Sequence, residues 1–141
     1  MALSNEDNDL LTNVDSGTPM GDLFRYFWFP VLLAEELPSP DSPPLRVRAL
    51  NEHLVAFRDS DGRLGLLEAG CPHRGADLAY GIVEAGGIRC ARCYWKFDVN
   101  GNILDLPLEP ADSPIWSEVK ATAHKLVEYG GLLWAYIGPK D

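Results

Sequence analysis

The sequence predicts an all-β fold, a small sandwich or barrel, and three observations predict it. Several short segments alternate apolar and polar residues with period two, residues 45–50 most clearly. The 141 residues include 13 Gly and 11 Pro, a density that favours strands and loops over long helices. Asn100-Gly101 and Gly130-Gly131 each sit between two such segments, the strongest short-range hairpin signal. Internal repeats and low-complexity tracts are absent from the sequence.

In chain order, residues 1–16 carry Glu6, Asp7, Asp9 and Asp15 among Asn and Ser and read as a flexible lead-in. Residues 23–33 hold Phe24, Tyr26, Phe27, Trp28 and Phe29 and lack a basic polar face, so they read as core or interface packing rather than a membrane anchor. Pro38-Ser39-Pro40-Asp41-Ser42-Pro43-Pro44 is a stiff loop that neither a helix nor a central strand can contain. Residues 45–50 and 53–58 are successive strands, and residues 63–67 return after the turn Asp59-Ser60-Asp61-Gly62. A short strand at Ile88-Arg89 follows a connection over residues 79–87. Residues 95–99 and 102–105 pair about Asn100-Gly101. Residues 107–114 form a loop with three prolines. Residues 115–123 fit a helical turn or an extended segment equally well. Residues 125–129 and 132–137 make the last hairpin.

All three cysteines fall in two motifs, Cys71-Pro72-His73-Arg74-Gly75 and Cys90-Ala91-Arg92-Cys93-Tyr94-Trp95. Pairs spaced C-x-H and C-x-x-C converge when each sits at the tip of a short loop. Thiolate sulfur and imidazole nitrogen are the donors that suit iron–sulfur clusters and zinc. A Cys3His set is an ordinary structural zinc site, and C-x-x-C is the usual knuckle spacing. The plainer reading is three cysteines buried as small hydrophobes beside an incidental histidine. It leaves both the pairing and the surrounding Pro and Gly unexplained. His53 and His124 stand far from the cysteines and read as ordinary strand residues, and Asp98 and Asp105 as charges flanking turns.

Cys71-Pro72-His73-Arg74-Gly75-Ala76, followed by Gly87-Ile88-Arg89-Cys90 and Trp95-Lys96-Phe97-Asp98, resembles the cluster-binding core of a Rieske [2Fe–2S] domain. More closely, it resembles the N-terminal domain of aromatic-ring-hydroxylating oxygenase α subunits of the phthalate 4,5-dioxygenase kind. Gly17-Thr18-Pro19-Met20-Gly21-Asp22, Leu45-Arg46-Val47-Arg48 and Gly130-Gly131-Leu132-Leu133-Trp134-Ala135-Tyr136 extend the likeness over residues 17–139, so residues 17–141 are expected to be the domain. The resemblance implies a Rieske-type β-sandwich or barrel with its cluster-binding loops at one end. It implies a [2Fe–2S] cluster with Cys71 and Cys90 on the inner iron and His73 and Cys93 on the outer one. Arg74 would bond within its loop or face a partner, while Trp95 and Phe97 would pack beneath the loops.

The sequence departs from the family at one place. The family's second pair reads Cys-x-x-His-Gly, and here Arg92, Cys93 and Tyr94 occupy the last three of the corresponding positions. A third thiolate takes an oxidised [2Fe–2S] core from neutral to a charge of −1. The potential should then lie between the roughly −150 to +300 mV of Rieske centres and the about −400 mV of plant-type centres. If the family glycine has positive φ, Tyr94 there is strained by about 1–3 kcal/mol. Zinc held by Cys71, His73, Cys90 and Cys93 is the alternative, and would make the domain a structural or binding module without redox activity.

The function that the resemblance implies is the relay of single electrons from a reductase or ferredoxin toward an oxygenase active site, in a catalytic domain or a neighbouring subunit, in aromatic hydrocarbon catabolism. Oxygen activation there needs a mononuclear iron held by two histidines and a carboxylate. The chain's histidines are His53, His73 and His124, none with paired spacing, so no catalytic residue is assigned and the catalytic domain is expected to be absent.

A net charge of −9 argues against nucleic acid or an anionic membrane as partner and suits a basic redox partner. Three cysteines, an odd number, argue against a disulfide framework and for a reducing, cytoplasmic setting. Residues 1–16 lack the basic region and apolar core of a signal peptide, and no apolar run approaches the 18 residues of a membrane span.

Overall fold

The computed structural model describes residues 2–139. The lead-in contains a helix, α1 (Asn5–Thr12), because Ser4 caps it. The Ser4 hydroxyl accepts from the Asp7 N–H at 3.0 Å, and Glu6 and Asp7 lie in the first turn, where the helix dipole favours acids. The helix buries none of its residues, so no apolar stripe announces it in the sequence. Thr18 caps α2 (Pro19–Phe24), with the proline in the first turn. The aromatic stretch then runs into β1 (Trp28–Leu33) at a sheet edge, where Val31 and Leu32 pack against the core. Tyr26 is 65 % exposed and Phe27 54 %, while the Trp28 ring packs on Tyr136 with centroids 5.4 Å apart.

The period-two segments become β2 (Leu45–Ala49), β3 (Glu52–Arg58) and β4 (Leu64–Glu68). Leu50 and Asn51 both take positive φ between β2 and β3, the backbone of a type I′ hairpin turn. The buried Asp59 carboxylate closes the next turn by accepting from the N–H groups of Asp61 and Arg63 and from Arg63 Nε. Next come β5 (Ile82–Glu84), β6 (Gly87–Arg89), β7 (Lys96–Phe97) and β8 (Ile103–Asp105). The segment that the sequence leaves open is one helical turn, α3 (Ile115–Glu118), followed by extended chain that enters β9 (Ala123–Tyr129). Gly130 and Gly131, both at positive φ, turn the chain into β10 (Leu132–Tyr136).

All pairings are antiparallel, and they form two sheets. The larger has the order β1-β10-β9-β4-β3-β2, and the smaller β5-β6-β7-β8. The edge strands β1 and β2 of the larger sheet approach each other, so it nearly closes into a barrel. Its interior holds Leu54, Ala56, Leu66, Leu133 and Ala135. The outer face of the same strands presents Val55, Phe57 and Leu67 to Ile88, Phe97 and Trp95 of the smaller sheet and its loop. Strand β3 is therefore buried on both faces, which explains why Leu54-Val55-Ala56-Phe57 is a continuous apolar run. Gly65 in β4 leaves room for the Phe57 ring, which a β-carbon there would overlap. The smaller sheet is thus seated on the barrel wall, and both cysteine motifs open at that seam.

Candidate metal centre

The two cysteine motifs fold into loops of the same design. In the first, which follows β4, Cys71 N–H donates to the Ala76 carbonyl at 2.8 Å and Gly75 N–H donates back to the Cys71 carbonyl at 2.7 Å. In the second, between β6 and β7, Cys90 N–H donates to the Trp95 carbonyl at 2.9 Å and Tyr94 N–H to the Cys90 carbonyl at 3.0 Å. Residue i+4 must have positive φ in each: Gly75 at 71° and Tyr94 at 62°. Tyr94 thus stands where the loop geometry calls for glycine.

These loops bring three sulfurs together. The Sγ atoms of Cys71, Cys90 and Cys93 all lie within 4.8 Å of one another, with Cys71 and Cys93 3.6 Å apart. No other set of three or more His, Cys, Asp or Glu side chains converges in this way among the described residues. Convergence at one point is not what three independently buried hydrophobes would do. Cys71 and Cys90 are buried and Cys93 is half-buried. His73 lies outside the close trio. Its exposed ring stacks on Trp95, with centroids 4.5 Å apart and planes at 11°, and it lines the same cavity of about 370 Å3 as Cys71 and Cys93. Trp95 is itself buried and packs with Phe97 beneath the loops. His53 on β3 and His124 on β9 line other cavities.

The thiols differ in acidity. Burial pushes the Cys71 thiol up to about 12 and also raises Cys93. Burial acts on Cys90 too, but hydrogen bonds from the N–H groups of Cys93 and Arg92, with those from the two neighbouring thiols, outweigh it and hold Cys90 below the ordinary thiol value.

Each loop is clamped by an arginine that no sequence motif singles out. Arg89 donates from Nη1 to the Tyr94 carbonyl at 2.6 Å and to Asp105 at 2.8 Å, and from Nε to Glu84. Hydrogen bonding to Glu84, and then to Asp105, raises its pKa. Arg46 Nε donates to Asp77 at 2.8 Å while its guanidinium lies over Tyr80, and Asp77 also accepts from Ala79 N–H just past the first loop. The partners of these arginines lie 5, 16 and 31 residues away, two of the three beyond the span of either cysteine motif. Asp105 is therefore part of a clamp, and Asp98 caps its turn by accepting from the N–H groups of Asn100 and Asn102.

The donor set suits a soft-metal centre: three sulfurs at one point and an imidazole in the same cavity. Comparison with protein-family profiles matches residues 27–125 to the Rieske [2Fe-2S] domain. The phthalate 4,5-dioxygenase oxygenase subunit of Pseudomonas putida is 48% identical over 139 residues, which cover 99% of this chain and 32% of that protein. The 3-chlorobenzoate-3,4-dioxygenase oxygenase subunit of Comamonas testosteroni is 40% identical, with 99% and 32% covered. Among solved structures, NdmA of Pseudomonas putida CBB5 superposes with a TM-score of 0.72 at 33% identity, over 81% of this chain and 35% of that one. Apo dicamba monooxygenase gives 0.73 at 30% identity, over 82% and 34%. The chain spans about a third of the length of these relatives. With a profile match over most of its length and a cysteine cluster that could hold a metal, the chain belongs to the Rieske [2Fe–2S] domain family, whose members bind a [2Fe–2S] cluster.

Proposed function

We propose that this chain relays single electrons, receiving them from a reductase or ferredoxin and passing them toward an oxygenase active site in a catalytic domain or a neighbouring subunit. The observation that carries the reading is the convergence of Cys71, Cys90 and Cys93, with His73 in the same cavity, inside a Rieske domain. These four residues would hold the cluster, which supplies one-electron chemistry when bound. Trp95 and Phe97 exclude water from the buried side of the site, and the Arg89 and Arg46 clamps fix the two loops that present the ligands. The relatives' names, oxygenase subunits of phthalate and chlorobenzoate dioxygenases, support placing the relay in aromatic catabolism. On this reading oxygen activation belongs to another domain or subunit. Three free cysteines fit a reducing compartment, the cytoplasm, and no helix among the described residues is long and apolar enough to cross a membrane.

One distance favours a second reading. Two thiolates of a tetrahedral site with metal–sulfur bonds of about 2.3 Å sit about 3.8 Å apart. Cys71 and Cys93, at 3.6 Å, have the spacing of two ligands on one ion. A single zinc held by Cys71, Cys90, Cys93 and His73 would make the domain a structural module. Iron, zinc and acid-labile sulfide, measured on freshly purified protein with its absorption spectrum, separate the two. Two irons and two sulfides per chain, with a potential between those of Rieske and plant-type centres, are expected; one zinc and no sulfide would overturn the relay.

A further inference from the structure

We infer that the mouth of the metal centre is a docking face for the carboxylates of an acidic one-electron donor protein, with Arg74 and Arg92 as its anchors. This rests on the relay reading above. Of the chain's eight arginines, Arg25, Arg46, Arg58, Arg63 and Arg89 are paired with carboxylates, and Arg48 donates to the Asn51 side chain. Only the guanidinium groups of Arg74 and Arg92 have no partner among the described residues, and both are exposed. Both line a cavity that opens onto Cys71 and Cys93. Glu109 lines it too, but its carboxylate accepts from Ser113 Oγ at 3.3 Å and is bonded to neither arginine. Leu108, 87 % exposed beside them, adds an apolar contact at the same mouth.

Charge complementarity selects the partner. The chain as a whole carries −9, which by itself points to a basic partner. Exposed charges are screened beyond about 8–10 Å, however, so the local patch decides where a partner settles. An acidic donor is repelled over most of this surface and accepted at the arginine-lined mouth, which orients it on the metal site. Arginine suits that task, because its planar fork binds a carboxylate through two hydrogen bonds. Arg74 follows His73 and Arg92 precedes Cys93 in the chain, so a carboxylate bound by either lies beside a metal-site residue.

The test uses the full chain with its iron and sulfide counted first, and a reduced plant-type ferredoxin as the acidic probe. Stopped-flow kinetics read electron entry, and calorimetry with the oxidised probe reads docking without turnover. Arg74→Glu with Arg92→Glu is compared with Arg48→Glu with Lys120→Glu, which changes net charge equally away from the mouth. The mouth variant is expected to slow entry and weaken docking about 10-fold at low salt and to flatten the salt dependence, with the absorption spectrum unchanged. The control should stay within about twofold, and Arg74→Lys with Arg92→Lys should recover most of the loss. Equal losses in the mouth variant and the control, no loss in either, or no docking by the unmodified chain would each overturn the proposal. A chain without iron whose docking still depends on Arg74 and Arg92 would defeat the relay and leave the docking face standing.

Discussion

Tyr94 shows how much one backbone angle can weigh. Its φ of 62° is the left-handed region, which costs a non-glycine residue about 1–2 kcal/mol. Its side chain is 57 % exposed, so packing returns little of that cost. Glycine relieves the strain but loses about 0.5–1 kcal/mol through chain entropy. Tyr94→Gly should therefore stabilise the protein by about 0.5–1 kcal/mol, read as a higher denaturant midpoint. Gly75→Ala is the mirror experiment. A β-carbon there meets nothing within 4 Å, so its expected loss of about 1 kcal/mol would be backbone strain alone. An unchanged midpoint in both variants would show that neither loop is held in this geometry. Cys93 gives a second prediction at this scale. Its sulfur stands 3.6 Å from that of Cys71, and the test is made on protein stripped of metal. Oxidised glutathione should link the two by thiol–disulfide exchange. The protein gives up two thiol protons and two electrons as it gains one S–S bond, and each glutathione disulfide yields two glutathione thiols. Peptide mapping should find Cys71 joined to Cys93 with Cys90 free; a Cys90–Cys93 link would count against this geometry.

Among the elements, the ligand loops depend on side chains that no local pattern reveals. Arg89 holds the second loop through the Tyr94 carbonyl while Glu84 and Asp105 hold Arg89. Arg89→Ala removes all three contacts and leaves that carbonyl without its donor. A loss of about 1–3 kcal/mol is expected, with faster amide exchange concentrated at residues 90–95 and easier metal release. Exchange that rises evenly over the whole molecule would assign Arg89 to general stability instead. The hairpins, by contrast, were legible, because Asn-Gly, Gly-Gly and Asp-rich turns state their backbone requirement in two to four residues. The cysteine pairs were legible for the same reason, since the spacing within each loop places its donors. The spacing allowed the two loops to converge and the family resemblance implied that they do, but their meeting is a long-range consequence of how two sheets pack. Helix α1 escaped notice because it is set by a cap rather than by an apolar stripe. Residues 23–33, which read as core or interface packing, divide between the two environments: Val31 and Leu32 pack against the barrel interior, while Tyr26, Phe27 and Trp28 stay exposed at the edge of the larger sheet.

At the scale of the molecule, a metal held by Cys71, Cys90 and Cys93 would staple two sheets together. Cys71 hangs from β4 of the larger sheet, while Cys90 and Cys93 lie between β6 and β7 of the smaller one. The larger sheet has its own interior around Leu54, Leu66 and Leu133 and nearly closes on itself, so most of its stability is independent of the site. The smaller sheet has short strands, only two residues in β7, and a single buried face against Val55, Phe57 and Leu67. Strands of that length are marginal without a partner surface. A metal held by Cys71 and Cys90 would fix the chain between them, and a cross-link closing about twenty residues is worth about 3 kcal/mol by the chain-entropy argument. Removing the metal should therefore loosen the molecule unevenly. Hydrogen exchange is expected to rise by about two orders of magnitude or more over residues 82–105, as about 3 kcal/mol of local protection is lost, while β3, β4, β9 and β10 change far less. Phe57→Ala, which opens a cavity on the site-facing side, should mimic this pattern. Leu54→Ala on the opposite face costs a comparable 2–5 kcal/mol and should instead lower protection in the larger sheet. If metal removal lowered protection equally in both sheets, the two would be one cooperative unit, and the metal would stabilise the whole fold rather than the seam.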